Sequence, residues 1–279
     1  MAKDSPRYVA EELVRGAEAQ GTPVSRRLLT DWVSLGLLDQ PTRRGLGRGK
    51  GTSATWSYNQ YRLFLITLQK RQEVERVKTL CNLPVMAWLY WGPDYASVEQ
   101  VRRAMKTFAT STRTASGRVS RETGKRVADQ LAGPGLRRED RTALVEAIVD
   151  ALGGGTLDTE RLREAARRVF DRGDTGRVVG PQGAQMRVDA WVRIVEANLA
   201  GTESLASLTD AEFEDARLAH HHAMATYSQR QPEFAQDPEI GAAFDAPTPD
   251  FLANNACSQL LTTIGFLQLA RRNAPPEND

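Results

Sequence analysis

The sequence predicts a mainly α-helical protein. Three observations carry this: apolar residues recur at helical spacing in most segments, serine or threonine heads several of those runs, and glycine or proline closes them. In chain order, Tyr8 to Ala17 places Val9 and Leu13 on one face and ends at Gly21-Thr22-Pro23. Ser25 reads as the N-cap of a helix from Arg26 to about Leu35 whose apolar side is Leu28, Leu29, Trp32 and Val33, and Gly36 stops it. Ser57 with Gln60 reads as a capping box that opens a long helix carrying Tyr61, Phe64, Leu65 and Leu68. That helix turns polar through Gln69 to Lys78. It meets Asn82-Leu83-Pro84 and then Val85 to Trp91, the most aromatic stretch of the chain. Ser97 with Gln100 repeats the capping-box signal ahead of Val98, Val101, Met105 and Phe108. Residues 109–125, rich in Ser, Thr, Arg and Gly, read as an exposed loop. Further helices are predicted over Ala143 to Leu152, closed by Gly153-Gly154-Gly155, and around Leu162 to Phe170, Val188 to Leu199 and Phe213 behind a Thr209 cap. The last helix spans Phe251 to Arg271. Between them Gln229 to Pro249, with Pro232, Pro238, Pro247 and Pro249, reads as a connector.

At 279 residues the chain can form one large or two modest domains. A hydrophobic content of 41% beside 26% charged residues is ordinary for a globular protein and excludes a disordered or membrane-embedded class. The formal net charge of +2 conceals a division. Residues 1–126 hold 22 Lys and Arg against 11 Asp and Glu, a balance of +11; residues 127–279 hold 15 against 24, a balance of −9. A basic half joined to an acidic half points to a polyanionic partner for the first. Cys81 and Cys257 are too few and too far apart in sequence for a disulfide framework, and both sit in apolar surroundings. The first residues lack the apolar core of a signal peptide, and the longest apolar runs fall short of a membrane span. A soluble cytoplasmic protein without a membrane partner is expected.

The chemistry concentrates between Ser25 and Tyr61. The arm from Pro41 to Gly51 carries four cations (Arg43, Arg44, Arg48 and Lys50) and interleaved glycines, without a carboxylate. Glycine lets a backbone turn tightly and approach a phosphate, and Arg and Lys add charge-assisted contacts to its oxygens. A solvated flexible loop is the plainer reading of such a run. The arm is not a nucleotide-binding loop, because Arg44 stands where that motif needs glycine and Gly51 follows Lys50. A short amphipathic helix ending in Gly36-Leu37-Leu38, a basic arm and a capped apolar helix make the layout of a winged helix-turn-helix.

Tyr8-Val9-Ala10, the run Trp32-Val33-Ser34-Leu35-Gly36-Leu37-Leu38, Pro41, the arginine-rich wing and a helix beginning near Ser57 together resemble the N-terminal domain of MerR-type regulators over about residues 8–72. The sequence departs from that pattern at Thr30 and Asp31 and in a longer, more glycine-rich wing. The resemblance implies sequence-selective binding of double-stranded DNA by a transcriptional regulator, as a homodimer on a partly palindromic site and associated with the nucleoid. Arg26 and Arg27 would open the recognition helix, and Arg43, Arg44, Arg48 and Lys50 would clamp the flanking backbone. The expected organisation is a winged helix-turn-helix at 5–75, a helical connector with the aromatic cluster at 76–112, and an acidic all-helical domain for oligomerisation or effector binding at 126–273.

Two other features compete for a role. His220-His221-His222 are consecutive, so on a helix they point about 100° apart and do not share one ligand sphere. Glu214 and Asp215 fall on matching faces, yet no second His or Cys motif completes a site, and neither metal nor cofactor is expected. Trp88, Tyr90 and Trp91 read as core, or alternatively as a pocket for a small apolar effector or a dimer contact. No nucleophile with its base and no cofactor fingerprint stands out, so an enzyme is not expected. The alternatives to a regulator are an architectural, partition or recombination accessory protein of a mobile element, and a ligand-responsive sensor.

Overall fold

Serine and threonine start four helices where the sequence places them. Ser25 Oγ accepts from the Leu28 N–H at 3.3 Å, Ser57 Oγ from Gln60 at 3.2 Å, Ser97 Oγ from Gln100 at 3.1 Å and Thr209 Oγ1 from Glu212 at 3.2 Å. The computed structural model describes residues 6–45, 52–74, 76–113, 121–122, 124–125, 128, 137–152, 157–170, 177–179, 185–236 and 248–274. Over these the chain is mainly helical, as the sequence predicts.

The elements run β1 (Arg7–Val9), α1 (Ala10–Ala19), α2 (Arg26–Leu35), β2 (Thr42–Gly45), β3 (Thr52–Ser57), α3 (Tyr58–Glu73), α4 (Val77–Leu80), α5 (Asn82–Trp91) and α6 (Val98–Arg113). There follow α7 (Arg138–Leu152), α8 (Thr159–Phe170), β4 (Arg177–Val179), β5 (Gln185–Arg187), α9 (Val188–Ser204), α10 (Asp210–Ala235) and α11 (Pro249–Asn273). Two compact units form. The first is Met1–Ala109 with Pro249–Cys257, and the second is Thr110–Thr248 with Ser258–Asp279.

In the first unit β3 is the central strand of an antiparallel sheet in the order β1-β3-β2, with Tyr8 opposite Trp56 and Arg43 opposite Ala54. Arg7 to Val9 is therefore extended rather than the head of the first helix. The strand's backbone groups pair with β3, and α1 starts only at Ala10, where the Glu12 carboxylate accepts from the Val9 N–H at 2.8 Å. Leu13, Ala17, Leu29, Trp32, Phe64 and Leu68 are buried, and Trp32 meets Phe64 edge to face at 5.5 Å. Helix α3 ends at Glu73, short of the polar continuation expected to Lys78, because Val74 is extended. Helix α5 buries residues all round, from Asn82 to Leu89, as a helix through a core does.

The end of α2 is the tightest junction. Gly36 adopts φ +77°, and its N–H and that of Leu37 bond back to Val33 and Trp32 carbonyls at 3.2 and 2.9 Å, a Schellman closure. Any Cβ on Gly36 would collide with the backbone of α6 at Gln100 and Ala104. Glycine is required here twice, once by the dihedral and once by the packing.

In the second unit α7, α8 and α9 share a core of Leu144, Ile148, Leu162, Ala166, Val169, Trp191 and Val192. Helices α9 and α11 meet through Gly201 and Gly265, where an added Cβ would strike the backbone of Leu261 and Ala197. Thr209 and Glu212 complete a reciprocal capping box. The small hairpin β4–β5 has no counterpart in the sequence-based expectation. Helix α10 also continues to Ala235 through Pro232, so the connector is shorter than expected. Proline deprives the helix of one N–H and crowds the carbonyl of Ser228, but Ser228 is exposed, so the freed carbonyl is not forced into the core. The loop expected over 109–125 is helical to Arg113 and again at 121–122 and 124–125, while the glycines at 153–155 lie outside the described residues.

Substituting Gly36 by alanine is expected to destabilise the first unit by about 2–5 kcal/mol, the left-handed penalty plus overpacking. Gly21, also at positive φ (+73°) but with open space around it, is the control: alanine there costs only about 1–2 kcal/mol. Urea titration followed by tryptophan fluorescence compares the two; equal costs would remove the packing argument.

Candidate nucleic-acid interface

Helix α2 shows two unlike ends. Its C-terminal carbonyls, orphaned by helix geometry, are taken by α6: the Arg103 Nε–H donates to Val33 O at 3.0 Å and the Thr107 hydroxyl to Leu35 O at 3.0 Å. A guanidinium at a helix C-terminus also meets the negative end of its dipole. Arg103 reaches the Asp39 carboxylate at 3.2 Å and Glu99 at 3.4 Å. Asp39 in turn donates its N–H to Gln60 Oε1 at 2.9 Å and accepts from Trp56 Nε1 at 2.8 Å through its carbonyl. The exit of α2 is thereby fastened to β3, α3 and α6.

The N-terminal end is free of such fastening. Arg26 and Arg27 occupy its first turn with side chains 70% and 90% exposed. Arg26 pairs with Glu11 of α1, and Arg27 stands 4.0 Å from Asp31 one turn on. Exposed pairs of this kind contribute at most about 1 kcal/mol, so either arginine can exchange its carboxylate for another anion. Arg27, Thr30, Asp31 and Ser34 are all exposed and form one polar face. Sequence reasoning did not single out Thr30, Asp31 and Ser34 as interface residues. The signal was there, since they are the positions left over once the apolar face is assigned.

Helices α1 and α2 are joined by a turn over Gln20 to Ser25, with the Thr22 N–H returning to Ala17 O at 2.9 Å. The arm forms the hairpin β2–β3, with Arg43 exposed on β2 and Arg44 in the next register position. Arg48 and Lys50 lie outside the described residues. Arg7 on β1 and Arg62 on α3 add exposed cations; Arg62 donates to the Tyr58 hydroxyl at 3.4 Å and lies over its ring.

The aromatic cluster separates. Trp88 is fully buried, Tyr90 is half-buried, and Trp91 is 54% exposed against Tyr95, so the three rings do not present one face to a ligand. Cys257 donates its N–H to Asn82 Oδ1 at 2.9 Å, which brings the two cysteines into one core. Burial pushes the Cys81 thiol up to about 12 and raises Cys257 as well, leaving both as unreactive thiols at neutral pH. Among the described residues no helix is long and apolar enough to cross a membrane. Nor do three or more His, Cys, Asp or Glu come together to hold a metal ion.

Of the three histidines His220 is buried and His222 exposed. Burial, with a further push from His221, lowers the His220 imidazole to about 4. Comparison of the chain with protein-family models, curated proteins and solved structures finds no match.

Two outcomes are expected. Arg103→Met removes one donor each from the Asp39 carboxylate and the Val33 carbonyl, leaving them the Gln40 and Gly36 N–H groups, and costs about 1–3 kcal/mol; amide exchange in α2 should rise, and unchanged protection would mean that Arg103 does not hold the helix. For His220, the unfolded imidazole takes a proton near pH 6.5, but the folded one only near 4. Between these values the unfolded state binds more protons, so stability falls as pH drops from about 6.5 to about 4. A His220→Gln variant should show a flatter melting temperature over that window, and parallel curves would exclude His220 as the source.

Proposed function

We propose that the chain binds double-stranded DNA sequence-selectively through an N-terminal winged helix-turn-helix of MerR-like type, and acts as a homodimeric transcriptional regulator. The observation that carries this reading is the asymmetry of α2. A helix clamped at its C-terminus by α6, with two exposed arginines in its first turn, is suited to entering a major groove N-terminus first. Arg26 and Arg27 then reach base edges or phosphates, Asp31 can accept from a cytosine amine, and the β2–β3 hairpin acts as the wing along the flanking backbone. The +11 balance of residues 1–126 supports a polyanionic partner.

Association in this reading releases counterions from the phosphates that the wing and α2 neutralise, so affinity falls steeply with salt. Base contacts from α2 add the selectivity. The Arg26–Glu11 pair sets a modest threshold, because the guanidinium leaves a carboxylate before it meets DNA.

The test is selection of fragmented genomic DNA on the purified protein, followed by sequencing. A small set of sites sharing an inverted repeat near promoters is expected. Recovery of sequences without a motif would replace regulation by an architectural role, and no recovery would overturn DNA binding. The Arg43→Ala, Arg44→Ala, Arg48→Ala triple variant should weaken all duplexes alike and lower the salt slope by about 0.9 for each phosphate it no longer neutralises. Arg27→Ala should change sequence preference at a cost of about 1–3 kcal/mol if its contact to a base is bidentate.

A further inference from the structure

Seven large apolar or aromatic side chains are exposed among the described residues, and four of them, Tyr58, Ile66, Trp91 and Tyr95, gather on one surface of the first unit. Tyr58, Arg62 and Ile66 follow one another at single-turn spacing on α3. Trp91 ends α5, and its ring meets that of Tyr95 at 5.7 Å. The turn that carries them is fastened to the start of α3: Asn59 Nδ2 donates to Asp94 O at 3.0 Å and Gln60 Nε2 to Tyr95 O at 2.6 Å. Arg62 joins the two halves. Its guanidinium lies 5.9 Å from the centre of the Tyr58 ring, and the Tyr58 hydroxyl, followed by that of Tyr95, raises its pKa.

This surface has the make-up of a protein interface rather than of a nucleic-acid platform. Trp, Tyr and Arg are the residues that most often anchor protein contacts, and contiguous exposed apolar patches mark interaction sites. Few ring faces are free for a base to stack on. Tyr61 lies against Tyr8 at 4.3 Å and against Gly16, where a Cβ would strike it, and Arg62 covers Tyr58. Charge selects among protein partners. Arg62 and Asp94 are both exposed, and among the described residues neither forms an ion pair. Opposite charges left unpaired on one patch are self-complementary: a two-fold axis sets each Arg62 opposite the other copy's Asp94. The position of the patch agrees. Arg62 and Ile66 stand about 160° round α3 from Phe64, whose ring meets Trp32 of α2. The patch therefore lies on the side of α3 opposite α2.

We propose that a second copy of this chain docks on this surface, in an isologous two-fold contact built on Tyr58, Ile66, Trp91 and Tyr95 with reciprocal Arg62–Asp94 pairs. The inference deepens the homodimer of the proposed regulator and rests on that reading for its setting. It moves the dimer contact from the acidic helices, where the sequence put oligomerisation, to the aromatic face of the N-terminal unit.

The experiment is sedimentation equilibrium of the full-length protein over a range of concentrations. It contains no DNA, so its outcome is separate from that of duplex binding. The wild type is expected to form a dimer at micromolar concentration. Trp91→Ala should weaken that dimer about tenfold or more, as the loss of an aromatic anchor does. Arg62→Glu and Asp94→Arg should each weaken it as well, and the two reversals combined should restore it, a rescue that damage to the fold does not give. A monomer at every concentration would overturn the proposal and leave the surface to a different protein. So would a dimer that all three single variants leave unchanged, which would place the contact elsewhere, or two reversals that stay monomeric when combined.

Discussion

The closure of α2 at Gly36 is the constraint on which the N-terminal unit depends. A left-handed residue folds the chain back, and its missing side chain lets α6 lie directly on the turn. That approach brings Arg103 and Thr107 within reach of the Val33 and Leu35 carbonyls. Asp39, a few residues on, then ties Arg103, Gln60 and Trp56 together. A larger residue at position 36 would separate the helices and remove the α6 donors from the Val33 and Leu35 carbonyls in one step. A residue far along the chain, Arg103, thus anchors the C-terminal end of the helix that carries Arg26 and Arg27.

Charge is handled differently in the two units. In the second, carboxylates are plentiful and several arginines lie against one, Arg161 against Asp150, Arg163 against Asp189 and Arg217 against Glu214. In the first, exposed arginines on α2, β1 and β2 outnumber nearby acids, and the pairs that do form are exposed and weak. Coulomb energy in water at such distances is on the order of 1 kcal/mol. These exposed pairs therefore contribute little to holding the fold together.

Much of the helical order was legible, because it rests on local chemistry. Ser25, Ser57, Ser97 and Thr209 cap helices as their spacing implies, since a side-chain oxygen three residues before a free N–H needs no distant partner. The glutamines of the two capping boxes behave otherwise, for the converse reason. Gln60 and Gln100 are buried and bond across the core: Gln60 accepts from the Asp39 N–H and donates its Nε2 to Gln100 Oε1 at 2.6 Å and to Tyr95 O at 2.6 Å. A return to the Ser57 or Ser97 backbone was the local option, and tertiary contact outweighed it. Arg7 to Val9 became a strand because β3 offered an edge, which no window of sequence near Tyr8 reveals. The three aromatic residues looked like one cluster in sequence, but Trp88 is fully buried while Trp91, at the last position of α5, is half exposed. Of the candidate interface, Arg26, Arg27 and Arg43 are exposed as expected.

The carboxylates beside Arg26 and Arg27 bear on selectivity under the proposed reading. An arginine already satisfied by Glu11 or Asp31 gains little from a single phosphate, since one weak exposed pair replaces another. It gains more from a base edge that offers two acceptors in the geometry of its fork. An internal carboxylate therefore subtracts more, in proportion, from nonspecific binding than from binding at a matched site. The wing, whose arm carries no acid from Pro41 to Gly51, lacks this filter. Affinity for any duplex would then come chiefly from the hairpin and discrimination from the first turn of α2, with the rigid anchorage of that helix keeping the two functions in register.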